Sequence, residues 1–143
     1  MNNFIFQNST KVYFGKGCVK EYLACLTKNA QTILLAYGGG SIKHNDVYDE
    51  ITDILKGAGK TIVEFSGIMS NPTYAKVQEG AKLARESGAD MILAVGGGST
   101  MDCCKAVSLA ARYDGDIWED FWAHPGVIDF DPLPLGVVVT VAG

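Results

Sequence analysis

The chain is 143 residues long, about one domain. Its 48% hydrophobic and 20% charged residues exclude a disordered chain, its 17 glycines follow no collagen period, and no apolar run approaches the about 18 residues of a membrane helix. The net charge of −4 argues against a nucleic-acid binder, and beyond residue 112 the charges are all acidic: Asp114, Asp116, Glu119, Asp120, Asp129 and Asp131.

The opening Met1-Asn2-Asn3-Phe4 has no basic segment ahead of an apolar one, which argues against a secretory signal. Phe4-Ile5-Phe6-Gln7 and Lys11-Val12-Tyr13-Phe14 flank a polar Asn8-Ser9-Thr10 and predict a β-hairpin over 4–14. Residues 18–28 turn helical, with Val19, Tyr22, Leu23 and Leu26 on one face. Thr32-Ile33-Leu34-Leu35-Ala36-Tyr37 is apolar without alternation, as in a parallel strand buried on both faces. A helix opened by Asp46 carries Val47, Ile51, Ile54, Leu55 and Ala58, and a strand follows at 61–65. After a loop to Pro72, a helix runs to Ser87 with Tyr74, Val77, Ala81 and Ala84 inward, and Gly88 ends it. Met91-Ile92-Leu93-Ala94-Val95 is a second buried strand, and 101–111 is a helix apolar nearly all round. Residues 117–122 predict a short helix within a solvated acidic loop, and 135–141 a last strand.

Strands near 33, 61, 91 and 135 thus alternate with helices at βαβ spacing. The expected fold class is α/β, a Rossmann-like open sheet, mainly parallel, with helices on both faces and the N-terminal hairpin, forming one domain over 1–143. Ligands of such sheets bind beyond the carboxyl ends of the strands, and both glycine triplets fall there. Cys18, Cys25, Cys103 and Cys104 form no C-x-x-C pair and read as core thiols of a cytoplasmic protein. His44 and His124 form no ligand motif, so neither metal nor catalytic residues are expected within these residues.

Gly96-Gly97-Gly98-Ser99-Thr100-Met101-Asp102 reads as a strand end, a tight turn and a helix start. Absent side chains let an anion approach the helix N-terminus, where unpaired N–H groups carry about half a positive charge. Ser99 as N-cap and Asp102 three residues on fit a capping box, with Asp102 aimed back at the turn or at a ligand hydroxyl. A connection with no ligand is the alternative reading. Gly38-Gly39-Gly40-Ser41-Ile42-Lys43 offers small residues, a hydroxyl and a cation but no acid, which suits a 2′-phosphate as well as it suits a solvated loop. Asn71 beside Pro72 is either an ordinary turn or an amide facing a nucleotide.

In order and spacing, these motifs resemble the amino-terminal domain of the iron-containing alcohol dehydrogenase family, in its NADP-dependent butanol dehydrogenase branch. Phe6-Gln7-Asn8, Val12-Tyr13-Phe14-Gly15-Lys16-Gly17, Tyr37 to Lys43, Asn71-Pro72, Gly96 to Ser99 with Asp102, and Pro132-Leu133-Pro134 leading to Thr140 carry the likeness. The resemblance implies that Gly97, Gly98 and Ser99 hold a pyrophosphate. It implies that Gly38, Gly39, Ser41 and Lys43 surround the adenosine ribose and its 2′-phosphate, and that Asn71, Asp102 and Thr140 line the cleft. The implied cofactor is NADP(H), and the implied substrate a small alcohol or aldehyde. Where the branch usually carries Lys-Asn-Gly, this chain has His44-Asn45-Asp46. The resemblance further implies iron or zinc on a helical domain expected after residue 143, no dehydrogenase activity for this span alone, and a homodimer through the hairpin. Dehydroquinate synthase and glycerol-phosphate dehydrogenase have a similar domain. A flavodoxin-like or receiver-type binding module is the non-enzymatic alternative.

Overall fold

The computed structural model describes residues 3, 5–44 and 46–140. In chain order these form α1 (Cys18–Leu26), β1 (Thr32–Tyr37), a 3-10 turn (Ser41–Lys43), α2 (Val47–Gly57), β2 (Thr61–Phe65), α3 (Tyr74–Ser87), β3 (Met91–Gly96), α4 (Gly98–Ala110), a π-helical turn (Trp118–Ala123) and β4 (Leu135–Val139). All four strands are parallel, in the order β2-β1-β3-β4.

The two uninterrupted apolar runs take the centre of the sheet, where both faces are covered. Side chains of a strand alternate between faces, so each run feeds two cores. Leu34, Ala36, Ile92 and Ala94 pack with Phe65 against α3 and α4. Ile33, Leu35, Leu93 and Val95 pack with Leu23, Ile51 and Leu55 of α1 and α2. Each fully buried Leu, Ile or Phe contributes roughly 1.5–3 kcal/mol, so the double-sided core orients the strands and hence their carboxyl ends.

The helix ends follow from local chemistry. Thr73 caps α3 by accepting the Lys76 N–H, and Gly88 ends the helix in the left-handed region (φ 65°). At the N-terminus of α2, Asp46 has φ 61° and caps no N–H with its side chain, while Asp49 and Glu50 complement the helix dipole.

Two expectations are corrected. The hairpin predicted over 4–14 does not form: residues 5–14 contain no strand, and Phe4 lies outside the described residues. Ile5, Phe6, Val12 and Phe14 are exposed, and a two-stranded ribbon is marginal without a third strand or a layer to pack on. Within it, the Asn8 Oδ1 accepts the Thr10 N–H instead of leaving the backbone to a ladder. The short helix expected at 117–122 does form, one residue later and with π-helical winding, at Trp118–Ala123. The acidic segment is anchored rather than only solvated. Tyr74 O–H donates to Asp116 Oδ1 (2.6 Å), which also accepts the Trp118 N–H, and Ser108 Oγ donates to the Leu133 carbonyl (2.5 Å). No helix among the described residues is long and apolar enough to cross a membrane.

The approach of α3 to the sheet depends on Gly80. A Cβ there would lie 2.7 Å from Phe65 Cε1 and 2.8 Å from Val107 Cγ2. Gly80→Ala gains helix propensity, but overpacking outweighs it, and urea denaturation should show a net loss of about 1–2 kcal/mol. An unchanged or raised midpoint would contradict this packing.

Candidate functional site

Because every strand is parallel, Tyr37, Phe65, Gly96 and Val139 all end at one edge of the sheet. The loop after β2 folds back over that edge: the Gly67 N–H donates to the Gly38 carbonyl (3.1 Å) and the Ile68 N–H to that of Tyr37 (3.3 Å). Between this loop and the start of α4 lies an open cleft of ≈ 220 Å³, lined by Ile68, Met69, Ser70, Gly97, Gly98, Ser99 and Thr100.

The floor of the cleft is the first turn of α4. Gly97 stands at the N-cap in extended backbone (φ −97°, ψ −163°), and no side chain caps the helix. The Met101 N–H already donates to the Gly97 carbonyl, so the N–H groups of Gly98, Ser99 and Thr100 are the first-turn donors without an intrahelical acceptor. Three donors at the positive end of a helix dipole, under two glycines, can hold an anion as large as a diphosphate. Apart from its chain neighbours and the backbone of its own helix, no described residue lies within 4 Å of where a Gly98 Cβ would be, so there is room above it for a ligand. Gly96 is required for a different reason. Its Cβ would fall 2.5 Å from Thr100 Oγ1, so the strand can turn directly into the helix only without a side chain there.

This geometry corrects the capping-box expectation. The helix begins three residues earlier than the pattern at 101 suggests, and Gly97 rather than Ser99 is the cap. Asp102 then falls in the second turn, with its side chain 72% exposed and 3.3 Å from Lys105 Nζ. It caps no N–H of the turn and is not among the residues that line the cleft.

The other sequence-derived positions divide between two places. Thr140 sits beside the cleft, its N–H donating to the Gly96 carbonyl (3.1 Å). Asn71 is exposed on the loop preceding α3, in left-handed backbone (φ 53°). Gly38 directly follows β1, where a Cβ would meet the Ile68 carbonyl at 3.2 Å, and Gly39 opens to free space. Ser41 starts the 3-10 turn that ends at Lys43, ahead of α2.

There Lys43 meets a group that sequence reasoning missed. Its Nζ is 3.8 Å from Glu64 Oε2, and 4.6 and 5.4 Å from the ring centroids of Tyr48 and Tyr37. Tyr37 O–H donates to Glu64 Oε2 (2.6 Å) and Tyr48 O–H to Glu64 Oε1. The two hydroxyls, and then the Lys43 ammonium, hold the Glu64 carboxyl below its usual range. The bond to Glu64 pushes the Tyr48 phenol up to about 12. The signal for Glu64 was available: it is the penultimate residue of the strand beside β1, where dinucleotide folds place an acid.

A larger cavity (≈ 320 Å³) opens at the opposite edge, lined by Arg85, Gly88, Asp90, Arg112 and Leu133 among others. Size does not make it the better site for an anion. It lies where α3 and α4 end, and the Arg85 guanidinium is already engaged with the Ala110 carbonyl (2.7 Å). Among the described residues, no three His, Cys, Asp or Glu side chains gather as metal ligands.

Residues 9–143 match the model of the iron-containing alcohol dehydrogenase family. The chain is 45% identical over 142 residues to a probable NADH-dependent butanol dehydrogenase 2 of Bacillus subtilis, covering 99% of this chain and 36% of that protein. It is 37% identical to the NADPH-dependent aldehyde reductase YqhD of Escherichia coli, again over 99% of this chain and 36% of the relative. The crystal structure of NADH-dependent butanol dehydrogenase A from Thermotoga maritima superposes with a TM-score of 0.88 at 41% identity, over 99% of this chain and 35% of that one. The chain therefore spans about a third of the length of the relatives it matches.

The tyrosine–carboxylate cluster has a measurable signature. An unfolded tyrosine ionises near pH 10, whereas folded Tyr48 keeps its proton to about 12. Between those values the unfolded chain has lost a proton that the folded chain retains, so stability should fall as pH rises through the window. Glu64 acts in the opposite sense: its contribution is present above the ordinary carboxylate range and is lost as pH falls through its lowered pKa. Phenolate absorbance should show a tyrosine titrating near 12 that Glu64→Gln returns toward 10. An unchanged titration in that variant would contradict the cluster.

Proposed function

We propose that this chain, which belongs to the iron-containing alcohol dehydrogenase family, is the NADP(H)-binding portion of an enzyme that interconverts small alcohols and aldehydes by hydride transfer. The observation that supports this most is the uncapped first turn of α4. It offers three free N–H groups to a cleft floored by Gly97 and Gly98, at the carboxyl edge of a parallel sheet. The names of the relatives, all alcohol or aldehyde oxidoreductases that use a nicotinamide nucleotide, support the reaction class.

Bound nicotinamide supplies the hydride or accepts it. The protein's own part is to bind and orient. On this reading Gly97, Gly98 and Ser99 hold the pyrophosphate through backbone N–H groups, and Thr140 and Asn71 border the cleft. Gly38 and Gly39 let the adenosine ribose approach the end of β1, with Ser41 and Lys43 on the turn that follows. The absence of any acid in 38–44 supports a 2′-phosphate there, hence NADP(H). NADH is a second reading. It is favoured by Glu64, which already shares the charge of Lys43, and by the NADH-dependent relatives.

The described residues do not fit an iron or zinc site, since no three His, Cys, Asp or Glu side chains gather among them. We assign the family's metal, and a helical domain to carry it, to residues outside this span, in keeping with relatives nearly three times as long. The four free cysteines suit a reducing cytoplasm. The exposed apolar side chains of Ile5, Phe6, Val12 and Phe14 suit pairing with a second copy.

Gly98→Ala gives a clean test, because the substitution clashes with nothing in the protein and favours the helix. Calorimetric titration with NADPH should show at least about a tenfold loss of affinity, the order of one charge-assisted hydrogen bond, with thermal stability equal or higher. Undiminished NADPH binding would remove the α4 turn from the site. Loss of both binding and stability would indicate a structural role instead.

A further inference from the structure

The cluster around Lys43 has a function that pyrophosphate binding does not use. Lys43 is the sole lysine or arginine of the connection between β1 and α2, so it carries whatever positive charge that turn can offer a ribose substituent. Its ammonium is not directed freely outward. It lies over Tyr48 and Tyr37 and within 3.8 Å of Glu64. The carboxylate is fixed from two elements at once, by Tyr37 at the end of β1 and by Tyr48 in the first turn of α2. The two rings meet edge to face at 5.8 Å, which makes the cradle stiff. The ion pair itself is weak, because the Lys43 and Glu64 side chains are 47% and 42% exposed. A carboxylate held by two hydroxyls beside a half-exposed ammonium is an arrangement in which a second anion can compete for the cation.

Resting on the dinucleotide reading above, we propose that Glu64 is a specificity-determining residue that acts by positioning Lys43. It draws the ammonium to the sheet edge, so that a 2′-phosphate must compete with a carboxylate for it, while an unphosphorylated ribose gives up nothing. Glu64 also adds a negative charge that repels a 2′-phosphate and leaves a 2′-hydroxyl unaffected. The native pair thus makes the site tolerant of both ribose forms. Removing the carboxylate turns it toward the phosphorylated one, and removing the ammonium turns it toward the other. No bond is made or broken in this step, only an exchange of partners at Lys43 Nζ.

The test compares adenosine 2′,5′-bisphosphate with AMP, titrated into the 143-residue chain and followed by calorimetry or NMR. Both probes place a 5′-phosphate alike, so their affinity ratio isolates the 2′-phosphate. Glu64→Gln keeps the length and an acceptor for the tyrosine hydroxyls, and should raise the ratio of bisphosphate to AMP affinity by about tenfold. Lys43→Gln, at an exposed position, should lower the ratio below the native value. In the double variant the rise caused by Glu64→Gln should shrink to the part that comes from direct repulsion, since the rest passes through the lysine. A ratio within twofold of native in Glu64→Gln, with binding intact, would overturn the proposal and leave the dinucleotide reading standing. Equal weakening of both probes, as a merely structural role would give, would overturn it as well. No measurable binding of either probe to the native chain would overturn the dinucleotide reading, and this proposal with it.

Discussion

Everything at the functional edge depends on how β3 becomes α4. The strand ends and the helix begins within one residue, and that is possible only because Gly96 leaves room for the Thr100 side chain. The consequence is electrical as much as geometric. A helix that started later, behind a capping side chain, would have spent its first donors on the protein. Here Gly97 caps without a side chain, and the first-turn N–H groups face a cleft. Gly98 then keeps that cleft clear. Gly96 thus gives clearance inside the fold, Gly97 stands at the cap without a side chain to spend the first donors, and Gly98 leaves the cleft open.

The sheet supplies the rigidity this turn needs. β3 is buried along its whole length and paired on both sides, so the position of Gly96 is held by β1 and β4 in register. The same parallel order puts the Gly38 turn beside the Gly97 turn, and the loop after β2 is laced to Gly38 and Tyr37 by two backbone bonds. The edge therefore carries two electrostatic regions of unlike character. Over α4 the positive potential comes from backbone dipoles, with no acidic side chain among the described residues that line the cleft. By the β1 turn the positive charge is a side chain, already shared with Glu64 and two tyrosine rings.

Much of the fold was legible in the sequence because hydrophobic continuity and periodicity are direct signals. The runs at 32–37 and 91–95 read as doubly covered strands because they are apolar without alternation, and Gly88 marked a helix end that the structure closes in left-handed backbone. The failures have physical causes. The hairpin at 4–14 had the right alternation, but alternation specifies a strand only where there is a surface to bury it against, and these side chains are exposed. The capping box at Ser99 was a correct local preference that the helix did not use, since α4 starts sooner, with Gly97 at the cap and Asp102 in the second turn. Glu64 was missed because its importance is not local. It lies 21 residues from Lys43 in the chain and reaches it only through the pairing of β2 with β1.

The central claim is that the α4 first turn and the β1 turn form one dinucleotide site at the carboxyl edge of the sheet. Backbone amide chemical-shift mapping of the chain with NADPH tests it most directly. The account predicts the largest shifts at Gly97, Gly98, Ser99 and Thr100, a second set from Gly38 to Lys43, and little change at Arg85 and Arg112 at the opposite edge. Shifts concentrated around Arg85 and Arg112, or confined to the β1 turn with Gly98 to Thr100 unmoved, would contradict it.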